Sequence, residues 1–239
     1  MREENFLKKR YKYLIVGVGV ILVFCLSMIY LYLFHGYHDN QLFTGDADHD
    51  RMINQFDADA DGDGIANLKD HDANNNGRSN LQDIMSGAKR LTGVLYDPLK
   101  GGHGNIGGRM GFIVCIDVPR IAYADAGIYL DQLMKNDYER HPDHYQTQKG
   151  TNTPATPYFY RRVRNVYDYA KANKMLIRKA GTPKVGDIVF YSRYHATLVV
   201  GVHSDGTYDE VEARPKLIFV QEHKHKKWRP KDVARLLDE

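Results

Sequence analysis

Hydrophobic and polar positions divide this chain into three unlike stretches. The first, Leu14 to Phe34, is twenty-one residues without a charge, and about twenty apolar residues suffice to cross a bilayer core. It predicts one transmembrane helix over 14–34, preceded by a tail over 1–13 and followed by a linker over 35–45. The second stretch, 46–83, sets acidic residues at alternate positions and holds few apolar ones. The third, 84–239, mixes helical and strand periods. Apolar spacing predicts helices over Leu81–Leu91, Asp117–Ala126, Tyr129–Arg140 and Tyr167–Leu176. The remainder reads as strands over Asp187–Tyr191, His195–His203, Tyr208–Glu212 and Leu217–Glu222, with a turn at Ser204-Asp205-Gly206. Helices followed by an antiparallel meander predict an α+β domain.

Charge orients the first stretch. Arg2, Lys8, Lys9, Arg10 and Lys12 precede it, whereas His35, His38 and Asp39 follow it. The positive-inside bias puts the N-terminus in the cytosol and everything after Phe34 outside. A cleaved signal peptide would have a core of roughly 7–15 residues ending in small side chains; this run ends Leu-Phe-His-Gly-Tyr-His. The whole chain carries 33 basic and 30 acidic residues, unevenly placed. Ten acidic residues face three basic ones over 46–83, against 17 acidic and 25 basic over 84–239. A basic domain outside the membrane suits anionic wall polymers or lipid headgroups. Nucleic acid is not expected, because the basic residues are scattered and carry no recognition motif.

The acidic stretch is a repeat. Asp46, Asp48, Asp50, Asn54 and Asp57 occupy positions 1, 3, 5, 9 and 12 of a calcium loop, with the Met52 carbonyl at position 7. Asp59, Asp61, Asp63, Ile65, Asn67 and Asp70 repeat the set, as do Asp72, Asn74, Asn76, Arg78, Asn80 and Asp83. The period of thirteen leaves no room for the flanking helices of an EF-hand, and the array resembles the tandem calcium repeats of thrombospondins and dockerins. Arg51 departs from the pattern where Gly64 and Gly77 mark the turn in the other loops. The spacing predicts up to three structural calcium ions in a stalk. A disordered acidic linker is the plainer alternative.

The candidate chemistry lies in the third stretch. Cys25 sits inside the apolar run, so Cys115 is the one cysteine outside it and no disulfide framework is expected. Most free cysteines are small buried hydrophobes. Cys115, however, stands just before a helix start in G-F-I-V-C-I-D-V-P, and His195 heads the apolar strand H-A-T-L-V-V-G-V. Together they have the parts of a thiol–imidazole nucleophile. A third, orienting group belongs on the strand after the histidine strand. Tyr96 is a candidate to position a substrate carbonyl, or else a core tyrosine. Arg161 and Arg162 are candidates to hold substrate carboxylates, or else structural ion pairs. Asp117 reads as a helix cap. His223 and His225 form an H-x-H pair that suggests zinc, although His103 lacks the carboxylate four residues on that would complete the set.

Short matches then accumulate in order: Y-D-P at Tyr96, V-C-x-D-V at Val114, A-Y at Ala122, Gly127 with Leu130, R-R-V-x-N at Arg161, G-D-I-V at Gly186, and His195. They resemble an uncharacterised bacterial envelope family, domain of unknown function 1287, related to the NlpC-type, papain-like cysteine peptidases. The resemblance implies a papain-like domain over 84–239 with Cys115 as nucleophile, His195 as base, and Gln221 or Glu222 near the third position. It also implies a periplasmic peptidase or amidase of the inner membrane, acting on peptidoglycan or another envelope amide with no catalytic cofactor. A binding module that uses the same cleft without cutting is the competing class.

Overall fold

The computed structural model describes residues 2–39, 41–98, 110–146, 152–156 and 158–237. Helix α1, Arg2–His35, is 34 residues long. Its segment Arg10–His35 is apolar enough to cross a membrane, and none of it is buried against the rest of the chain. At 1.5 Å per residue those 26 residues extend about 39 Å, more than the ~30 Å of a hydrocarbon core. After the one-turn helix α2, Gln41–Thr44, the three loops run without regular elements except a 3₁₀ turn at Asn54–Phe56.

Helix α3, Asn80–Arg90, starts where the third loop closes. Ser79 caps it by accepting from the Gln82 N–H, and the Gln82 side chain returns the bond to the Ser79 N–H, which satisfies two otherwise orphaned donors. Helix α4, Asp117–Asp125, follows Cys115, and α5, Leu130–Arg140, follows α4. Helix α6 is Val163–Ala172, ending before the Leu176 expected from the sequence.

The six strands are β1 Leu176–Ala180, β2 Ile188–Ser192, β3 His195–Val202, β4 Thr207–Glu212, β5 Gln221–Lys227 and β6 Lys231–Ala234. They form one antiparallel sheet in the order β1-β6-β2-β3-β4-β5. Strand β3 shows why two faces exist. Ala196, Leu198 and Val200 point into the core with Ile84, Val118 and Ala122 of the helices. Val199 points the other way, into a smaller cluster with Val189, Tyr208 and Val233 under Trp228. Period-2 alternation sends successive side chains to opposite faces, and burying each aliphatic one is worth roughly 1.5–3 kcal/mol. Truncating Leu198 to alanine should cost about 2–5 kcal/mol.

Two expectations need correction. The strand expected over 217–222 is a 3₁₀ turn at Pro215–Leu217, and β5 begins only at Gln221. The repeats do not stand off as a stalk either. Ala73 is fully buried in the main core, and Ala60 packs with Ala124 of α4 and Tyr129. Gly127, at φ +77°, lets the third loop lie directly on the end of α4: an added Cβ would meet the Ala73 carbonyl oxygen at 2.2 Å. The fold is therefore α+β with helices on one face of an antiparallel sheet, and the acidic repeats are part of the helical layer.

Candidate functional site

A tight turn delivers Cys115. The Asp117 N–H donates to the Val114 carbonyl at 2.9 Å, and the Asp117 carboxylate accepts the Val114 N–H at 2.8 Å. Asp117 thus closes the turn around Cys115 besides opening α4, whose next residues include Pro119, which suits a first turn. Arg161 locks the arrangement: its Nε and Nη2 donate to Asp117 Oδ2 at 2.9 and 2.7 Å, and Nη2 reaches the Phe112 carbonyl at 3.1 Å. Its Nη1 lies 3.7 Å from the buried Asp97. Cys115 itself is 8% exposed, with Sγ 3.8 Å from the Tyr194 carbonyl at the β2–β3 hairpin.

His195, the first residue of β3, lies near enough to Cys115 to feel it electrostatically. Its Nε2 is 2.6 Å from Glu212 Oε1, which leaves Nδ1 for the sulfur. Burial pulls the imidazole pKa down, but hydrogen bonds and charge from Cys115 and Glu212 outweigh it and raise it to about 9. Glu212 is 3% exposed and ends β4. Burial pushes its carboxyl up, yet the His195 hydrogen bond and the charges of Arg214 and His223 hold it below the usual carboxylate range. Arg214 Nη2 and His223 Nε2 lie 3.3 and 2.9 Å from its Oε2. The Tyr96 hydroxyl is close by. Burial first, and then the charge of Cys115, push its pKa up to about 12.

Several expected site residues sit elsewhere. Glu222 pairs with Lys89 and Lys224, each at 3.5 Å. Gln221 is opposite Glu212 in the β4–β5 ladder, one strand farther from His195. The carboxylate bonded to the imidazole is instead Glu212, on the strand after the histidine strand. A register shift between Val199 and Gly201 hides it, because a one-residue slip moves a side chain to the other face of the sheet. Counted straight from the turn, Glu212 falls opposite Leu198; past the shift it shares the face of His195. Arg161 is consumed by Asp117, and Arg162 is buried, donating to Asn152 at 2.5 Å and stacking on Tyr158. Neither arginine is free to hold a substrate carboxylate. His225, at φ 51°, is turned by a second bulge to stack on His203 at 4.3 Å. It therefore diverges from His223, and the H-x-H pair does not converge on one ion. His103 lies outside the described residues.

The profile of the family described as Domain of unknown function (DUF1287) matches residues 97–227. The chain belongs to the DUF1287 family. The matched span contains Cys115, His195 and Glu212, while α1 and the acidic repeats precede it. No curated protein and no solved structure matches the chain.

The repeats outside the DUF1287 domain have their own geometry. Oδ2 of Asp46, Asp59 and Asp72 accepts the N–H of Arg51, Gly64 and Gly77 at 3.1, 2.9 and 2.7 Å. All three donor residues have positive φ, so Arg51 adopts the glycine conformation of its counterparts. The carboxylates of Asp46, Asp48 and Asp50 converge within 4.8 Å, as do those of Asp59, Asp61 and Asp63. Asp57 Oδ2, Asp46 Oδ1, Asp59 Oδ1 and Asp70 Oδ2 are buried without a hydrogen-bond partner. Burial pushes the Asp57 carboxyl up, and the charges of Asp50 and Asp48 add to that. The residues of loops one and two thus fit a cation. Met52 and Ile65 keep the position-7 place, their N–H groups held by Asp50 and Asp63 at 2.6 and 2.7 Å.

Two metal-ligand expectations change. The buried Asn54, Asn67 and Asn80 accept the N–H of Ala47, Ala60 and Ala73 at 3.0, 2.8 and 3.1 Å. Asn67 and Asn80 also donate to the Asp57 and Asp70 carbonyls, so these asparagines lock the loops instead of holding ions. In the third loop, Asn74 and Asn76 donate to Asp83 Oδ2 at 3.1 and 2.8 Å, and Arg78 lies 3.3 Å from its Oδ1. The chain's own donors already meet the Asp83 carboxylate there.

Proposed function

We propose that this DUF1287 protein is a membrane-anchored, extracytoplasmic cysteine hydrolase, an NlpC-like peptidase or amidase acting on peptidoglycan peptides. The observation that carries the reading is His195 standing between Cys115 and Glu212. An imidazole near a thiol and held by a buried carboxylate at 2.6 Å can take the thiol proton and keep it. The thiolate then attacks an amide carbonyl carbon and a C–S bond forms. In this reading, backbone N–H groups near Cys115, with the Tyr96 hydroxyl, hold the oxyanion. As the C–N bond breaks, the proton on His195 passes to the leaving nitrogen. Water, deprotonated by His195, hydrolyses the thioester and releases the carboxyl product.

Two further parts complete the proposal. Helix α1 spans the inner membrane with its basic end inside, which puts the DUF1287 domain in the periplasm. Loops one and two each hold one structural calcium, because a hard cation wants the several oxygens they bring together. No step of the chemistry runs through that ion.

Thiol reactivity tests the site. Cys115 should alkylate near pH 6 much faster than a model thiol, and His195→Ala should remove the advantage. A slow reaction indifferent to His195 would make Cys115 a structural thiol. Incubation with purified sacculi then tests the substrate: wild type should release peptide fragments and Cys115→Ala none. Wild-type protein that binds sacculi and releases nothing would instead establish a binding module.

A further inference from the structure

One segment near the membrane anchor is both strained and exposed. Chain 214–219 reads Arg-Pro-Lys-Leu-Ile-Phe. Ile218 has φ 65° and ψ −46°, and the Phe219 N–H donates to the Leu217 carbonyl at 2.7 Å. That is the γ-turn of positive φ, rare and strained in any residue and more so in a β-branched one. Outside α1, Ile218 is also the most exposed aliphatic side chain among the described residues, at 59%. Arg214 and Lys216 beside it are exposed as well. A protein does not hold an isoleucine in a glycine conformation to show it to water without a reason elsewhere.

The anchor lies against this turn. The His35 carbonyl, at the end of α1, accepts the Leu95 N–H at 2.7 Å, and its Nδ1 lies 2.9 Å from the Gly93 carbonyl. Leu95 pairs with Phe219 in an antiparallel bridge, and the rings of His35 and Phe219 are 4.8 Å apart. The Tyr96 N–H donates to the Ile218 carbonyl itself at 2.7 Å. Ile218 is therefore one residue from the side chain that touches the last residue of the helix. The headgroup layer is roughly 5–8 Å deep on each side of the hydrocarbon, so a group this near the helix exit sits at lipid level.

We propose that the turn at 214–219 is a lipid-contact loop: Ile218 and Leu217 enter the outer leaflet, while Lys216 meets anionic phospholipid headgroups. Apolar residues flanked by cations are what an interfacial segment requires. The contact fixes the tilt of the domain on its anchor. It rests on the proposed anchoring of α1 and leaves the hydrolase reading untouched.

The test uses the full chain in vesicles of phosphatidylcholine and phosphatidylglycerol whose acyl chains are brominated near the headgroup. The wild-type chain has one tryptophan, Trp228, packed on the second cluster, and it supplies the baseline. Ile218→Trp should add a blue-shifted emission quenched several-fold more strongly by the brominated lipid than the baseline. Adding Lys216→Glu, or using phosphatidylcholine alone, should reduce that quenching. Protein that fails to float with the vesicles would overturn the anchor and the loop contact together. Protein that floats, keeps its circular dichroism, and shows an introduced indole quenched no more than Trp228 would overturn the loop contact alone.

Discussion

Glu212 decides the charge of the site as well as its geometry. Since the folded pKa of His195 is raised from 6.5 to about 9, protonation stabilises the fold. That contribution is complete below the unfolded value near 6.5 and is lost as pH rises through about 9. Denaturant midpoints should fall between pH 6 and pH 9.5, corresponding to a loss of about 1–2 kcal/mol of unfolding free energy after allowance for solvent around a partly open pair. Glu212→Gln should flatten the dependence, because a carboxamide hydrogen-bonds without offsetting the imidazolium. It should also lower turnover about a hundredfold or more. A midpoint difference the same in both proteins would place the titrating group elsewhere. A second single-residue effect comes from Ile218. Glycine accepts φ 65° without strain, so Ile218→Gly should raise the detergent-solubilised protein's stability by about 1 kcal/mol. A lower melting temperature would show that the isoleucine packs on the fold.

At the level of elements, the sequence was most readable where a segment carries its own reason to fold. Apolar spacing located α3, α4 and α5, which each bury one face, and short runs bounded by turns located β2, β3 and β4, with β3 buried on both faces. Strand β5 is Gln-Glu-His-Lys-His-Lys-Lys and β1 is mostly exposed. Their strand state comes from pairing with β4 and β6, which a local pattern cannot report. For the same reason Cys115 and His195 were visible from their flanks, and Glu212, placed by a bulge, was not. The repeats divide likewise. Spacing gave the loops, but only their bonding separates the open carboxylates of loops one and two from Asp83, already met by Asn74, Asn76 and Arg78. Calorimetry on the full chain should therefore find two calcium ions. Asp61→Ala with Asp63→Ala should remove one of them, and Asp83→Ala should remove none. A stoichiometry of three would mean that Arg78 swings out and the amides turn over to ligate.

Across the whole molecule, the acidic repeats lean on the helix that follows Cys115. Asn74 donates to the Asp125 carbonyl at 2.6 Å, at the far end of α4 from Cys115. Gln55, in the 3₁₀ turn of the first loop, donates to Asp131 at 2.5 Å. Asp131 also takes a two-pronged bond from Arg120 of α4, at 2.6 and 2.5 Å, and Arg120 lies 3.8 Å from Asp117. The first loop, where an ion is proposed, is thus tied by contacts to the turn that carries the thiol. Occupied sites stabilise by linkage, about 2.7 kcal/mol for each site held at a hundred times its dissociation constant. Chelation should lower the melting temperature by several degrees, and well below melting it should also slow the alkylation of Cys115. Gln55→Ala severs the tie and leaves Arg120 its own two bonds to Asp131. It should alkylate slowly with or without calcium while its melting temperature still responds to the ion. Two changes acting through one contact do not add. An alkylation rate indifferent to chelation, in a protein whose melting temperature falls, would confine the repeats to supporting the fold.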